Sequence, residues 1–239
     1  MSRFFIVRHG QASFLEADYD KISPLGQRQS QLLGEYWAQR NFRFDRVFTG
    51  PRNRQKDTAA LVAGAYQRAG QPFPSPVIVP EFDEYDGENV LRRAVPELLQ
   101  SSEKCRELYS AFTDSGSPVD RLKNFERLFE FVTTRWATGE IVLSGVESWI
   151  EFCARVNRGI SSLTAQCGHG CAAVVFASGG PIGVAIARSL HLTTPDTLRV
   201  MWMSRNASYS EFLFSGERFT LSAFNAHPHL DDPTLLTYR

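Results

Sequence analysis

Four groups of polar residues follow short apolar runs in this chain. Arg8, His9 and Gly10 come directly after Phe4 to Val7, and Thr49 to Arg54 (TGPRNR) comes after the short run RVF. Ser178, Gly179 and Gly180 follow AAVVFA, and the acidic stretch EFDEYDG places Glu81, Asp83, Glu84 and Asp86 behind Val77 to Val79. Two arginines, a neutral histidine, a glycine turn and a carboxylate are the set that phosphoryl transfer to nitrogen requires. Arginines bind non-bridging oxygens bidentately, imidazole attacks phosphorus, and a carboxylic acid protonates the leaving oxygen. Taken singly, each piece is equally a solvated turn or an acidic surface loop.

These groups need a scaffold that brings strand ends together. Phe4 to Val7 and Ala172 to Ala177 are too short for membrane spans and suit buried parallel strands, and in an open α/β sheet ligands bind outside the carboxyl ends of the strands. Ser23 and Pro24 give an N-cap and a first-turn proline for a helix to about Arg40, whose Leu32, Leu33, Tyr36 and Trp37 share one face. Asp45 to Thr49 offers a second strand, and a helix from about Arg54 to Arg68 stops at Gly70 and the prolines at 72, 74 and 76. Val77 to Val79 reads as a third strand.

From Asn89 to Gly139 the pattern is helical with no strand between. Leu122, Phe125, Leu128, Phe129, Val132 and Trp136 recur at three- and four-residue steps, as a core stripe does. Alternation resumes with a helix from Ser148 to about Ala165, the strand Ala172 to Ala177, and a helix whose glycine-rich start admits a close anion. Thr194 before Pro195 caps a short helix, and Tyr209 to Phe214 with Phe219 to Phe224 forms a hairpin. The expected architecture is α/β: three layers, α/β/α, with a mostly parallel sheet and one antiparallel edge strand. It is read as a single domain over 1–239 with a helical insertion at about 89–139 lying over the active-site end.

Composition narrows the partners. Lys plus Arg and Asp plus Glu balance at 26 each over 239 residues, which gives no global attraction to nucleic acid or an anionic membrane. The first strand leaves no room for a leader, and no stretch reaches the roughly 20 apolar residues of a span, so a cytoplasmic location is expected. Cys105, Cys153, Cys167 and Cys171 form no disulfide framework and read as reduced thiols. CGHGC lacks a fourth ligand in sequence and suits a helix-to-strand connection, so neither metal nor cofactor is expected. His227 and His229 in the tail are further candidates for reaching the site.

These residues resemble the histidine phosphatase (phosphoglycerate mutase-like) superfamily. Arg8, His9 and Gly10 look like its RHG signature. Leu25, Gly26, Gln29, Leu33 and Gly34 resemble its LxxGxxQAxxLG helix, and Pro51, Arg54, Thr58 and Ala59 its SPLxRAxxTA turn. Gly145, Glu147, Ser148, Arg155 and Val156 resemble its GES…RV helix, and Asn206, Ala207 and Ser208 match the asparagine motif before the closing strands. The resemblance implies that His9 accepts the phosphoryl group and that Arg8 and Arg54 clamp it. It implies a proton donor in the acidic loop, where Glu84 matches best and Glu81 stands close. Where the family has a second histidine before glycine, this chain has Ser178, followed by Gly179. The implied activity is a metal-independent phosphohydrolase acting on a small phosphorylated substrate or a phosphoprotein. The alternatives are a catalytically weak phospho-ligand binding protein and a mutase, for which Arg92 and Arg93 would add cations.

Overall fold

The computed structural model describes residues 1–13 and 20–238. The polar stretch read as irregular between Gln11 and Ile22 therefore lies in part outside the described residues. The chain divides into two compact units, residues 1–84 with 155–239, and residues 85–154.

The first unit holds a six-stranded sheet in the order β3-β2-β4-β1-β5-β6. Its strands are β1 (Ser2–Arg8), β2 (Arg46–Thr49), β3 (Val77–Ile78), β4 (Ala172–Ala177), β5 (Tyr209–Ser215) and β6 (Arg218–Ala226). The first four are mutually parallel. The terminal hairpin makes the antiparallel side, with β5 opposed to β1 and β6 opposed to β5. Phe4 to Val7 are all buried because both faces of β1 are covered, which is why the run is apolar without alternation. On one face Phe5 and Val7 join Leu33, Trp37, Val62 and Tyr66. Phe4, on the other, lies against Phe82, Phe212 and Phe219.

Helices α1 (Pro24–Gln39) and α2 (Asn53–Arg68) start where the sequence places them, and Ser23 Oγ accepts the Gly26 N–H at 3.0 Å. The first turn of α1 carries the turn that follows β1. A Cβ on Gly10 would stand 2.3 Å from the Gly26 carbonyl oxygen, and one on Gly26 would stand 2.1 Å from that of Gln11. Both contacts are with backbone, so neither can yield, and this explains the two glycines. Gln29 completes the seat by accepting the Gln11 N–H at 2.9 Å.

The second unit contains α3 (Gly87–Ser101), α4 (Glu103–Thr113), α5 (Pro118–Ala137) and the first residues of α6 (Trp149–Ala165). Asp86, Ser102 and Ser117 cap α3, α4 and α5 in turn. The stripe of α5 is packing: Leu128, Val132 and Trp136 are buried, and Tyr85 stacks on Trp136 at 5.3 Å between centroids. At α6, Ser148 and Glu151 satisfy each other's backbone N–H groups, at 2.8 and 3.2 Å.

Two local readings change. Strand β3 ends at Ile78 rather than Val79, and the cap of α8 (Thr194–Met203) is Thr193, whose Oγ1 accepts from Asp196 N. Thr194 is already helical, with Pro195 tolerated in the first turn. Helix α7 (Gly179–Leu190) follows β4 directly. Among the described residues no helix is long and apolar enough to cross a membrane.

Candidate active site

The register of the parallel strands brings the predicted groups together. Arg8 pairs with Ala177, Phe176 with Thr49, and Thr49 with Ile78. His9 and Ser178 are thus the next residues on adjacent strands, and His9 N–H bonds the Ala177 carbonyl at 2.9 Å. The His9 carbonyl is held from the other side by Asn206 Nδ2 and by Ala207 N, each at 3.2 Å.

The protonation state of His9 follows from its two partners. Nδ1 lies 2.7 Å from the Gly10 carbonyl oxygen, which can only accept, so Nδ1 carries the hydrogen. Arg54 Nε, which can only donate, lies 3.1 Å from Nε2, so Nε2 presents its lone pair. Burial, then the cations of Arg54 and Arg8, push the imidazole well below the ordinary histidine range, and the Gly10 bond opposes them more weakly. At neutral pH His9 is a neutral imidazole with its lone pair on Nε2.

Arg8 and Arg54 are both buried. Arg8 Nη1 donates to the Ser204 carbonyl at the end of α8. Arg54 sits on the first turn of α2, and its Nη1 pairs with Asp20 Oδ1 at 2.9 Å. The second oxygen of Asp20 accepts the Asn53 N–H at 2.7 Å.

Ser178 is 1 % exposed, and its Oγ accepts from Gln55 Nε2 at 2.9 Å. Gln55 also donates to the Phe82 carbonyl at 3.2 Å and accepts the Arg52 N–H at 3.0 Å. This one amide therefore ties the end of β4 to the acidic loop and to the start of α2. Glu84 reaches the first turn of α7, where Oε2 accepts the Gly180 N–H at 3.0 Å. A Cβ on Gly179, beside it, would stand 3.5 Å from Met201 Cγ, an ordinary contact.

The other acidic residues have separate tasks. Asp83 pairs with Arg52 at 2.5 Å, and Glu81 lies against α6, where a Cβ on Gly159 would stand 2.7 Å from its own Cβ. Arg155 Nη1 donates to the Glu81 and Asp83 carbonyls at 3.0 and 3.1 Å, fixing the loop that presents Glu84. Gln11 Oε1 accepts from Ser23 Oγ at 2.9 Å, and Ser13 N–H bonds the Lys21 carbonyl at 2.8 Å. Arg92 and Arg93, in the second unit, bond Asn89 Oδ1 and the Ser144 carbonyl. Among the described residues no three His, Cys, Asp or Glu side chains are grouped to hold a metal.

Two residues that bond this cluster, Asp20 and Gln55, carry no signal in the sequence. Asp20 lies in a polar stretch with no periodicity, and Gln55 stands next to Arg54 without a pattern of its own. Each acts through a tertiary contact, a kind of signal that local spacing does not carry.

In the tail, His227 Nδ1 stands 2.7 Å from the Asn225 carbonyl, while His229 is buried beside Tyr36 of α1. Among the described residues neither ring nitrogen of His229 has a partner in hydrogen-bond geometry, and only the Ala207 backbone lends its charged form some support. Burial, then neighbouring His227, lower His229 to about 3. The unfolded chain takes up this proton near pH 6.5 and the folded one does not. The stability it supports is therefore full above pH 6.5 and lost as pH falls through about 3. At pH 5 the loss is about 2 kcal/mol. His229→Phe, which keeps a ring on Tyr36, should flatten urea-derived stability between pH 7 and 5 by that amount. Parallel curves for the two proteins would disprove it.

The sequence model of the histidine phosphatase superfamily (branch 1) matches residues 4–118 and 121–227. The chain belongs to this superfamily. Among solved structures, this member of the superfamily is similar to an alpha-ribazole phosphatase from Shigella flexneri, with 21 % identity, 94 % of this chain and 96 % of that one covered, and a TM-score of 0.62. A mycobacterial glucosyl-3-phosphoglycerate phosphatase with inorganic phosphate matches at 18 % identity over 96 % and 99 % of the two chains, TM-score 0.64. A phosphoserine phosphatase mutant from Entamoeba histolytica, in complex with phosphoserine, matches at 16 % over 96 % and 100 %, TM-score 0.61. No curated protein sequence matches significantly. At these identities the structural likeness establishes the fold.

Proposed function

We propose that this superfamily member is a phosphohydrolase that acts on phosphomonoesters of a small molecule or a phosphoprotein through a phosphohistidine on His9. The observation that carries the reading is the state of His9, neutral, buried, with Nδ1–H held by Gly10 and Nε2 facing Arg54. Arg8 and Arg54 receive the phosphoryl oxygens in place of a metal. As a phosphoryl oxygen takes over the Arg54 Nε–H from Nε2, the freed lone pair attacks phosphorus, the bond to the ester oxygen breaks, and Glu84 in its acid form gives that oxygen a proton. Water, deprotonated by the resulting carboxylate, then cleaves the P–N bond and releases phosphate.

Ser178 takes the place of the superfamily's second histidine. With one lone pair engaged by Gln55, its hydroxyl hydrogen remains able to donate to a phosphoryl oxygen. It supplies a neutral donor where an imidazolium would supply charge. Losing one such preorganised donor costs roughly a hundredfold in rate. Ser178→Ala should therefore lower kcat about tenfold to a hundredfold. Parental kcat in that variant would show that the hydroxyl does not touch the reacting group.

The same serine favours a second reading, a phospho-ligand binding protein with weak turnover. Incubation without added metal with a panel of phosphomonoesters separates the two. An acid-labile phosphoenzyme and released phosphate support the hydrolase. Tight vanadate binding with no turnover supports the binding protein.

A further inference from the structure

We propose that Asp20 is the positioning residue of the site, holding the Arg54 guanidinium so that its Nε–H points at His9 Nε2. The inference rests on the phosphohistidine reading and assigns a role to a residue outside the superfamily motifs quoted above. Arg54 is a planar group anchored at two different nitrogens, Nε on His9 at 3.1 Å and Nη1 on Asp20 at 2.9 Å. Two anchors on one plane fix its rotation, which a single hydrogen bond does not. Asp20 is itself fixed, because its second oxygen takes the Asn53 N–H at 2.7 Å, one residue before Arg54 on the same helix. The carboxylate thus refers the guanidinium to the N-terminus of α2 and not to a mobile side chain.

Charge argues the same way. The Arg54 side chain is 5 % exposed while that of Asp20 is 29 % exposed, so the buried cation draws its counter-charge from a carboxylate at the rim. Arg8 is a second buried cation acting on His9, and Arg52 and Asp57 lie within electrostatic reach of Asp20. Removing the Asp20 charge weakens the anchor at Nη1, and the guanidinium then rotates away from Nε2. A substrate phosphoryl group then meets the arginine out of line with the nucleophile.

The test compares the parent with Asp20→Asn and Asp20→Glu by steady-state kinetics on a phosphomonoester, and by nitrogen NMR of Arg54 Nε–H and His9 Nε2. In the parent, scalar coupling across the N–H···N bond is expected, and in Asp20→Asn it should disappear. Turnover of Asp20→Asn should fall about tenfold in kcat with KM little changed, and Asp20→Glu should recover most of it. Parental kcat in Asp20→Asn overturns the proposal. So does a lower KM at parental kcat, which would make Asp20 a competitor of phosphate for Arg54. Retention of the coupling in Asp20→Asn also overturns it, and if that variant does not fold, absence of coupling in the parent does. If the parent neither turns over nor labels at His9, the phosphohistidine reading fails, and the NMR arm still decides whether Asp20 positions Arg54.

Discussion

His9→Gln is expected to reduce phosphomonoester turnover to background, a loss on the order of 10⁴-fold or more, and to abolish acid-labile phosphate labelling of the protein. Glutamine is chosen because an amide oxygen can still accept the Arg54 Nε–H that His9 accepts at 3.1 Å. The guanidinium then keeps a partner and the buried pocket keeps its polar balance. What is lost is the nucleophilic nitrogen, for which a water molecule in the same place has no comparable activation. Inorganic phosphate should still bind, because Arg8 and Arg54 remain. Turnover equal to the parent's would sink the phosphohistidine mechanism outright.

Glu84→Gln should lower kcat by about 10²- to 10⁴-fold for an alkyl phosphate and far less for 4-nitrophenyl phosphate. A general acid matters in proportion to how poor the leaving group is. An alkoxide needs its proton as the P–O bond breaks, whereas a nitrophenolate leaves without one. The amide keeps an oxygen for the Gly180 N–H, so the contact at 3.0 Å with the start of α7 survives and the loop stays in place. The ratio of kcat/KM for the two substrates is the deciding measurement, and an equal loss for both would remove Glu84 from the proton-transfer role. Glu81→Gln should behave as the parent does, since Glu81 lies against Gly159 of α6.

Much of the scaffold was legible because it rests on local patterns. The unbroken runs Phe4 to Val7 and Ala172 to Ala177 announce strands covered on both faces, and Ser23 with Pro24 announces a helix start at the right residue. Arg8, His9, Arg54, Ser178 and Glu84 stand out because each follows such an element or lies in the loop behind it. Asp20 and Gln55 did not, because their meaning lies in what they touch across 34 and 123 residues of chain. The acidic loop shows the same limit from the other side. Four carboxylates look alike in sequence, and it takes the backbone bonds of Arg155 and the pairing of Asp83 with Arg52 to separate them.

The hydrogen bond from His9 to its neighbour's carbonyl has a chemical consequence of its own. Because a main-chain oxygen, not a replaceable side chain, takes the Nδ1 hydrogen, the ring has one reactive face set by the turn at Gly10. In the proposed reaction the phosphorylated protein is thus a single regioisomer, the tele (3-phosphohistidine) form. Reagents that discriminate the two phosphohistidine isomers can read the direction of that one backbone bond.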